Sequence, residues 1–164
     1  MLRPLVDTHA YSAAIGAVAM EWASLESFVH GVLWRLAGLD SRKGRCITQH
    51  VPFGTVWCSI VSLANEIPLS KKELETLATL QMKCEPLRLK RNEIVHALWG
   101  ITAAGLSKGQ LTAIVAKARG QLKIEQNSYS IEYVHEVANQ LNELAGEIAT
   151  FTLALLNQPA TEAK

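Results

Sequence analysis

Cysteines are few in this chain, and they lie far apart. The three present, Cys46, Cys58 and Cys84, form no C-x-x-C pair. That excludes a zinc knuckle and a thioredoxin-type redox motif. An odd set of scattered thiols reads as reduced cysteine in a cytoplasmic compartment. A glycine-rich phosphate loop is also missing, because "GRCITQHVPFGT" lacks the lysine–threonine ending. No G-x-S-x-G elbow occurs. His9, His30, His50 and His135 are scattered, none beside a carboxylate or cysteine at ligand spacing, so no metal and no cofactor is expected. The opening "MLRPLVDTHAY" holds no apolar core of signal-peptide type. Ala13 to Leu36 is the most apolar stretch, but Glu21, Glu26 and Arg35 interrupt it. It reads as a buried helix and not as a membrane span. Excess charge of one sign is absent too: 16 Lys and Arg face 15 Asp and Glu, for a net charge of +1. Bulk charge therefore does not announce a nucleic-acid binder.

What is present suits a globular fold. The chain has 164 residues, 49% of them hydrophobic and 19% charged. That is enough for one domain, residues 1–164, with a sizeable core that needs no disulfide or metal. Local charge is uneven. Lys83, Arg88, Lys90 and Arg91 cluster together, and Lys108, Lys117, Arg119 and Lys123 follow. Glu125, Glu132, Glu136, Glu143 and Glu147 mark the last third. The basic run reads either as a solvated face or as a patch that steers phosphate.

The first element is expected from Asp7 to Ala37, with Asp7 or Thr8 capping its start and Gly38 ending it. Trp22, Leu25, Val29, Leu33 and Leu36 recur there at helical spacing. "LDSRKGRC" reads as a loop by composition. A second helix is expected from Pro52 or Phe53 to Glu66, closed by Pro68. Ser70 and Glu73 form a capping-box pattern at the start of a third. Leu74, Leu77, Leu80, Leu87, Ile94 and Leu98 then follow one face. Pro86 removes a backbone donor, so a kink or break is expected near Cys84 to Pro86, with a separate segment to about Ala97. After Trp99 come short β-branched runs separated by "GLSKGQ" and "ARGQ", which read as turns between two or three antiparallel strands. A last helix is expected from Ser130 to about Asn157, with Glu132 suiting its dipole and a wide apolar stripe. "QPATEAK" reads as a frayed tail. The expected fold is a mainly α-helical bundle with a β insertion at about 99–128.

Three polar residues stand out within "RNEIVHALW", Arg91 to Trp99. At about 100° per residue, Leu87, Arg91, Ile94, Val95 and Leu98 fall on one side of a helix, with Arg91 in the middle of the apolar arc. Asn92 and His96 stack on its flank. Arg91 and His96 splay by roughly 140°, so only the long arginine arm lets both reach one ligand. The first helix carries a matching anomaly, Glu26, between Trp22, Val29 and Leu33. An uncompensated buried charge is costly, which leads us to expect Glu26 and Arg91 to pair. Such a pair is either purely structural or kept for function, since buried ion pairs add little net stability.

Arg91-Asn92-Glu93-Ile94-Val95-His96 resembles the RNxxxH form of the R-x4-6-H motif of HEPN domains, the higher-eukaryote-and-prokaryote nucleotide-binding family. The likeness extends to the helix order and to "EWASLE", Glu21 to Glu26. It implies an antiparallel helical bundle and, as in many members, metal-independent endoribonuclease activity of a toxin or defence effector. In that chemistry the RNA 2′-hydroxyl attacks the adjacent phosphate and leaves a cyclic phosphate and a free 5′-hydroxyl. By the same resemblance the site forms where two motif helices meet across a homodimer. His96 would be the acid or base, Arg91 the phosphate clamp and Asn92 a positioning group. Glu26, Trp22 and Trp99 would support the site, and Lys83, Arg88 and Lys90 would steer RNA. Other members of the family do not cleave RNA. They bind nucleotides, or they partner a nucleotidyltransferase or other antitoxin, so a non-catalytic module is the alternative. Trp22, Trp34, Trp57 and Trp99 could stack bases, but their Leu and Val neighbours read as core.

Overall fold

The computed structural model describes residues 6–156, without the side chains of residues 117–119. The tail read in "QPATEAK" lies outside the described residues. Six helices and three strands follow in the order α1 (Thr8–Leu36), α2 (Ser41–Thr48), α3 (Phe53–Glu66), α4 (Lys71–Val95), β1 (Leu98–Gly100), α5 (Ala103–Ser107), β2 (Leu111–Arg119), β3 (Gln121–Tyr129) and α6 (Ile131–Leu156). The fold is mainly helical with a small antiparallel sheet, as expected.

Local chemistry accounts for most boundaries. Asp7 accepts a bond from the Ala10 amide at 3.0 Å and caps α1. At its other end Gly38 takes φ +66°. The Leu39 amide donates to Trp34 O and the Gly38 amide to Arg35 O, the two bonds of a Schellman stop. The α4 capping box is reciprocal: the Ser70 amide donates to Glu73 Oε2 at 2.7 Å, and the Glu73 amide to Ser70 Oγ at 3.3 Å. Ser70 shares that role with Ser130, whose Oγ accepts from the Tyr133 amide at the start of α6.

Five expectations are corrected. "LDSRKGRC" is not a loop, because Asp40 accepts from the Arg42 and Lys43 amides and starts α2. Pro86 does not break α4, which runs unbroken from Lys71 to Val95. The helix stops there and does not reach Ala97, so Leu98 falls in β1 and is 71% exposed, off the buried face. Leu74 is also partly exposed. "GLSKGQ" does not join two strands by a turn alone. It carries much of α5, whose cap is Thr102.

The described chain divides into two compact units. The first comprises residues 1–22 and 85–142. Its core includes Tyr11, Val18, Trp22, Ile94, Leu111, Ala113, Val134 and Leu141. The sheet belongs to this unit, in the order β1-β2-β3, with Leu98 opposite Ile114 and Leu111 opposite Tyr129. The second unit comprises residues 23–84 and 143–164. Leu25, Val29, Val32, Val56, Ile60, Leu80 and Ile148 lie in its core. No helix among the described residues is long and apolar enough to cross a membrane.

Candidate functional site

The polar residues of "RNEIVH" converge at the end of α4, within the first unit. Arg91 Nη1 donates to Asn92 Oδ1 at 2.9 Å and to His96 Nε2 at 3.0 Å. The splay expected from an ideal helix is overcome because α4 ends at Val95. His96 still donates its amide to Asn92 O at 3.1 Å, so the chain leaves the helix with the imidazole turned to Arg91. Arginine has no acceptor. His96 Nε2 must therefore offer its lone pair, and the neutral ring carries its proton on Nδ1. Trp22, buried in the same unit, lies under the guanidinium with its ring centroid 5.4 Å from Arg91 Cζ. The aromatic face offsets part of the cost of half-burying that charge. His96 itself is exposed.

Trp99 is anchored and not free to stack a base. Its Nε1 donates to Ile94 O at 2.8 Å. Its ring lies 6.1 Å from both Tyr11 and Tyr129, and Tyr129 stacks on Tyr133 at 4.8 Å. Tyr11 hydroxyl donates to Tyr129 O at 2.7 Å. This aromatic cluster fixes the segment that follows His96.

Sequence reasoning passed over Glu93, the third residue of the motif. Asn127 Nδ2 donates to Glu93 Oε1 at 2.7 Å, and the Tyr129 hydroxyl also bonds the carboxylate. Burial first, then the bond to Glu93 and its charge, hold the Tyr129 phenol far above the ordinary tyrosine value. Burial and Glu93 raise Tyr133 likewise. The Tyr129–Tyr133 spacing of four across a helix start was the available signal. The contact to Glu93 spans 34 residues and had none.

Lys83, Arg88 and Lys90 each have a polar partner within their own unit. Lys83, in the second unit, is tied to Glu147 at 2.7 Å. Arg88 forks onto Glu85, at 2.8 Å from Nε and 2.6 Å from Nη2. That pairing lowers the Glu85 carboxyl and raises Arg88. Lys90 Nζ donates to Gln140 Oε1 at 3.1 Å.

Glu26 belongs to the second unit, whereas Arg91 belongs to the first. Glu26 lines a recess of about 350 Å³ with His30, Trp34, Arg45, Thr48 and Gln49. His30 stacks flat on Trp34, with centroids 6.0 Å apart, and Trp34 Nε1 donates to Thr48 Oγ1 at 3.1 Å. Burial lowers the His30 pKa, and the Glu26 charge opposes that shift. Among the described residues no group of three His, Cys, Asp or Glu side chains could hold a metal ion. No family model, no curated protein and no solved structure matches this chain.

Proposed function

We propose that the protein is a metal-independent endoribonuclease of HEPN type, acting on RNA as a toxin or defence effector. The observation that carries this reading is the Arg91–Asn92–His96 cluster, with a histidine lone pair held 3.0 Å from a phosphate-binding guanidinium. An RNA phosphate competes for the Arg91 fork and so releases His96 Nε2. That nitrogen takes the proton of the 2′-hydroxyl. The 2′-oxygen bonds to phosphorus, the bond to the 5′-oxygen breaks, and the leaving oxygen gains a proton. Arg91 holds the phosphate oxygens as their charge develops. In this reading the acid that protonates the leaving group is the His96 of a second copy, in a two-fold homodimer.

The test is cleavage of single-stranded RNA by purified protein in EDTA, beside DNA of the same sequence. RNA should be cut to a cyclic phosphate and a 5′-hydroxyl, and DNA spared, because it lacks the attacking group. His96→Ala should abolish cutting with the circular dichroism unchanged. Folded wild-type protein that cuts no RNA across a broad panel, or a His96→Ala variant that cuts equally well, ends this reading. A second reading, a nucleotide-binding or interaction module that could partner a nucleotidyltransferase, is favoured by one fact. The His96 base is already occupied by Arg91.

A further inference from the structure

The β2–β3 hairpin is longer than its support. Nine residue pairs are in register from Leu111–Tyr129 to Arg119–Gln121. Only Thr112, Ala113 and Ile114 have a third strand, β1, beside them. The remainder, from Val115 to Glu125, is a two-stranded ribbon, and an isolated ribbon is marginal in water. β3 has β2 on one side and no described strand on the other. Its outer backbone edge is a template for another strand.

Side chains along the ribbon sort by the two-residue alternation of a strand. Leu111, Ala113, Trp99 and Tyr129 share the face that meets the core of the first unit. The opposite face carries Leu98, Ile114, Ala116, Leu122 and Ile124 in paired positions. Leu98 is 71% exposed, Leu122 69% and Ile124 58%. A run of exposed aliphatic side chains on an open-edged strand calls for a partner.

A lysine on an edge strand ordinarily repels further strands. Here Lys123 is bonded to Glu125, two residues along, at 3.0 Å, so its charge is paired within the strand. The order Lys123-Ile124-Glu125 is also self-complementary about its middle residue. An antiparallel copy of β3 placed with a two-fold axis at Ile124 sets Lys123 of one copy opposite Glu125 of the other, twice. It sets Leu122 opposite Gln126, and Ile124 opposite itself, on the aliphatic face. Opposite charges directly across strands stabilise a pair, and like charges destabilise it.

We propose that β3 is the seam of a homodimer: two copies pair antiparallel about Ile124 and form one continuous six-stranded sheet. The seam goes beyond the proposed function and needs no RNA cleavage; the order β1-β2-β3 leaves β1, which follows His96, at the two outer edges of the joined sheet. Within each copy Asn127 of β3 holds Glu93 of the motif.

The test uses the full chain and two single charge reversals. Wild type should shift in light scattering from the 18.0 kDa of one chain toward twice that as concentration rises. Lys123→Glu places Glu opposite Glu, and Glu125→Lys places Lys opposite Lys. Each should stay at single-chain mass over the same range, with the circular dichroism of wild type. An equimolar mixture of the two variants restores both opposite-charge pairs and should dimerise. The double reversal Lys123→Glu with Glu125→Lys should dimerise on its own. A wild type that stays monomeric overturns both the seam and the dimer. A dimer indifferent to the single reversals, or variants that fail to recover in the mixture and the double reversal, overturn the seam alone.

Discussion

Arg91 Nη1 donates to His96 Nε2 across 3.0 Å, and Asn92 Oδ1 accepts from the same nitrogen at 2.9 Å. One guanidinium nitrogen therefore sets both the tautomer of the histidine and the rotamer of the asparagine. Nitrogen NMR should find His96 Nε2 unprotonated and Nδ1 protonated whenever the ring is neutral. Arg91→Lys supplies a point charge without the planar fork. It should relax the tautomer preference and, on the proposed chemistry, cut cleavage by about 100-fold or more. An unchanged nitrogen spectrum in that variant would show that the bond does not hold the ring.

The chain has three tyrosines, and all three have raised pKa values, with burial the first cause in each. A phenol raised in the folded state binds its proton longer than the same phenol unfolded. Its contribution is complete below the unfolded value of about 10 and is lost as pH rises through the folded value. Alkaline titration by tyrosinate absorbance should thus show little ionisation of the native protein where the urea-unfolded chain is already ionised. Stability should fall over that window. A native curve that overlays the unfolded one would contradict the half-buried Tyr129–Glu93 arrangement.

Glu93 receives Asn127 and Tyr129, both from the last three residues of β3. Removing a donor to a carboxylate at a partly exposed site should cost about 1 kcal/mol. Tyr129→Phe and Asn127→Ala should each lower the urea midpoint accordingly. Because they share one acceptor, the double variant should not be the sum of the singles. Additivity within about 0.3 kcal/mol would mean that the two donors act independently.

The elements legible in the sequence are those whose signals are local. The Ser70–Glu73 box, the Gly38 stop and the apolar spacing of α1 and α6 each act within a few residues. The pattern around Ser41 to Thr48 hid α2, because its residues are mostly polar and its place is set by a cap and by contacts of Gly44 and Thr48 with Trp34. Pro86 carries an intrinsic cost, yet α4 continues through it with the ring exposed. Arg91, Asn92 and His96 were legible as a cluster because they are close in sequence. Glu93's partners in β3 were not, since only the folded chain brings them to it.

That α2 contact yields the last prediction. Gly44 is buried, and a Cβ built on it would fall within the indole of Trp34, against Cγ, Cδ1 and Cδ2. Trp34 has little room to yield, because it stacks on His30 and donates to Thr48 Oγ1. Gly44→Ala gains about 1 kcal/mol of helix propensity, while overpacking costs roughly 1–3 kcal/mol. The variant should be less stable than wild type, with altered near-ultraviolet tryptophan dichroism as the ring moves. Adding Trp34→Leu should then cost less in the Gly44→Ala background than in wild type, because the clash has been removed. A Gly44→Ala protein stabilised by the full propensity gain, with its tryptophan signal unchanged, would mean that α2 does not pack on Trp34 this closely.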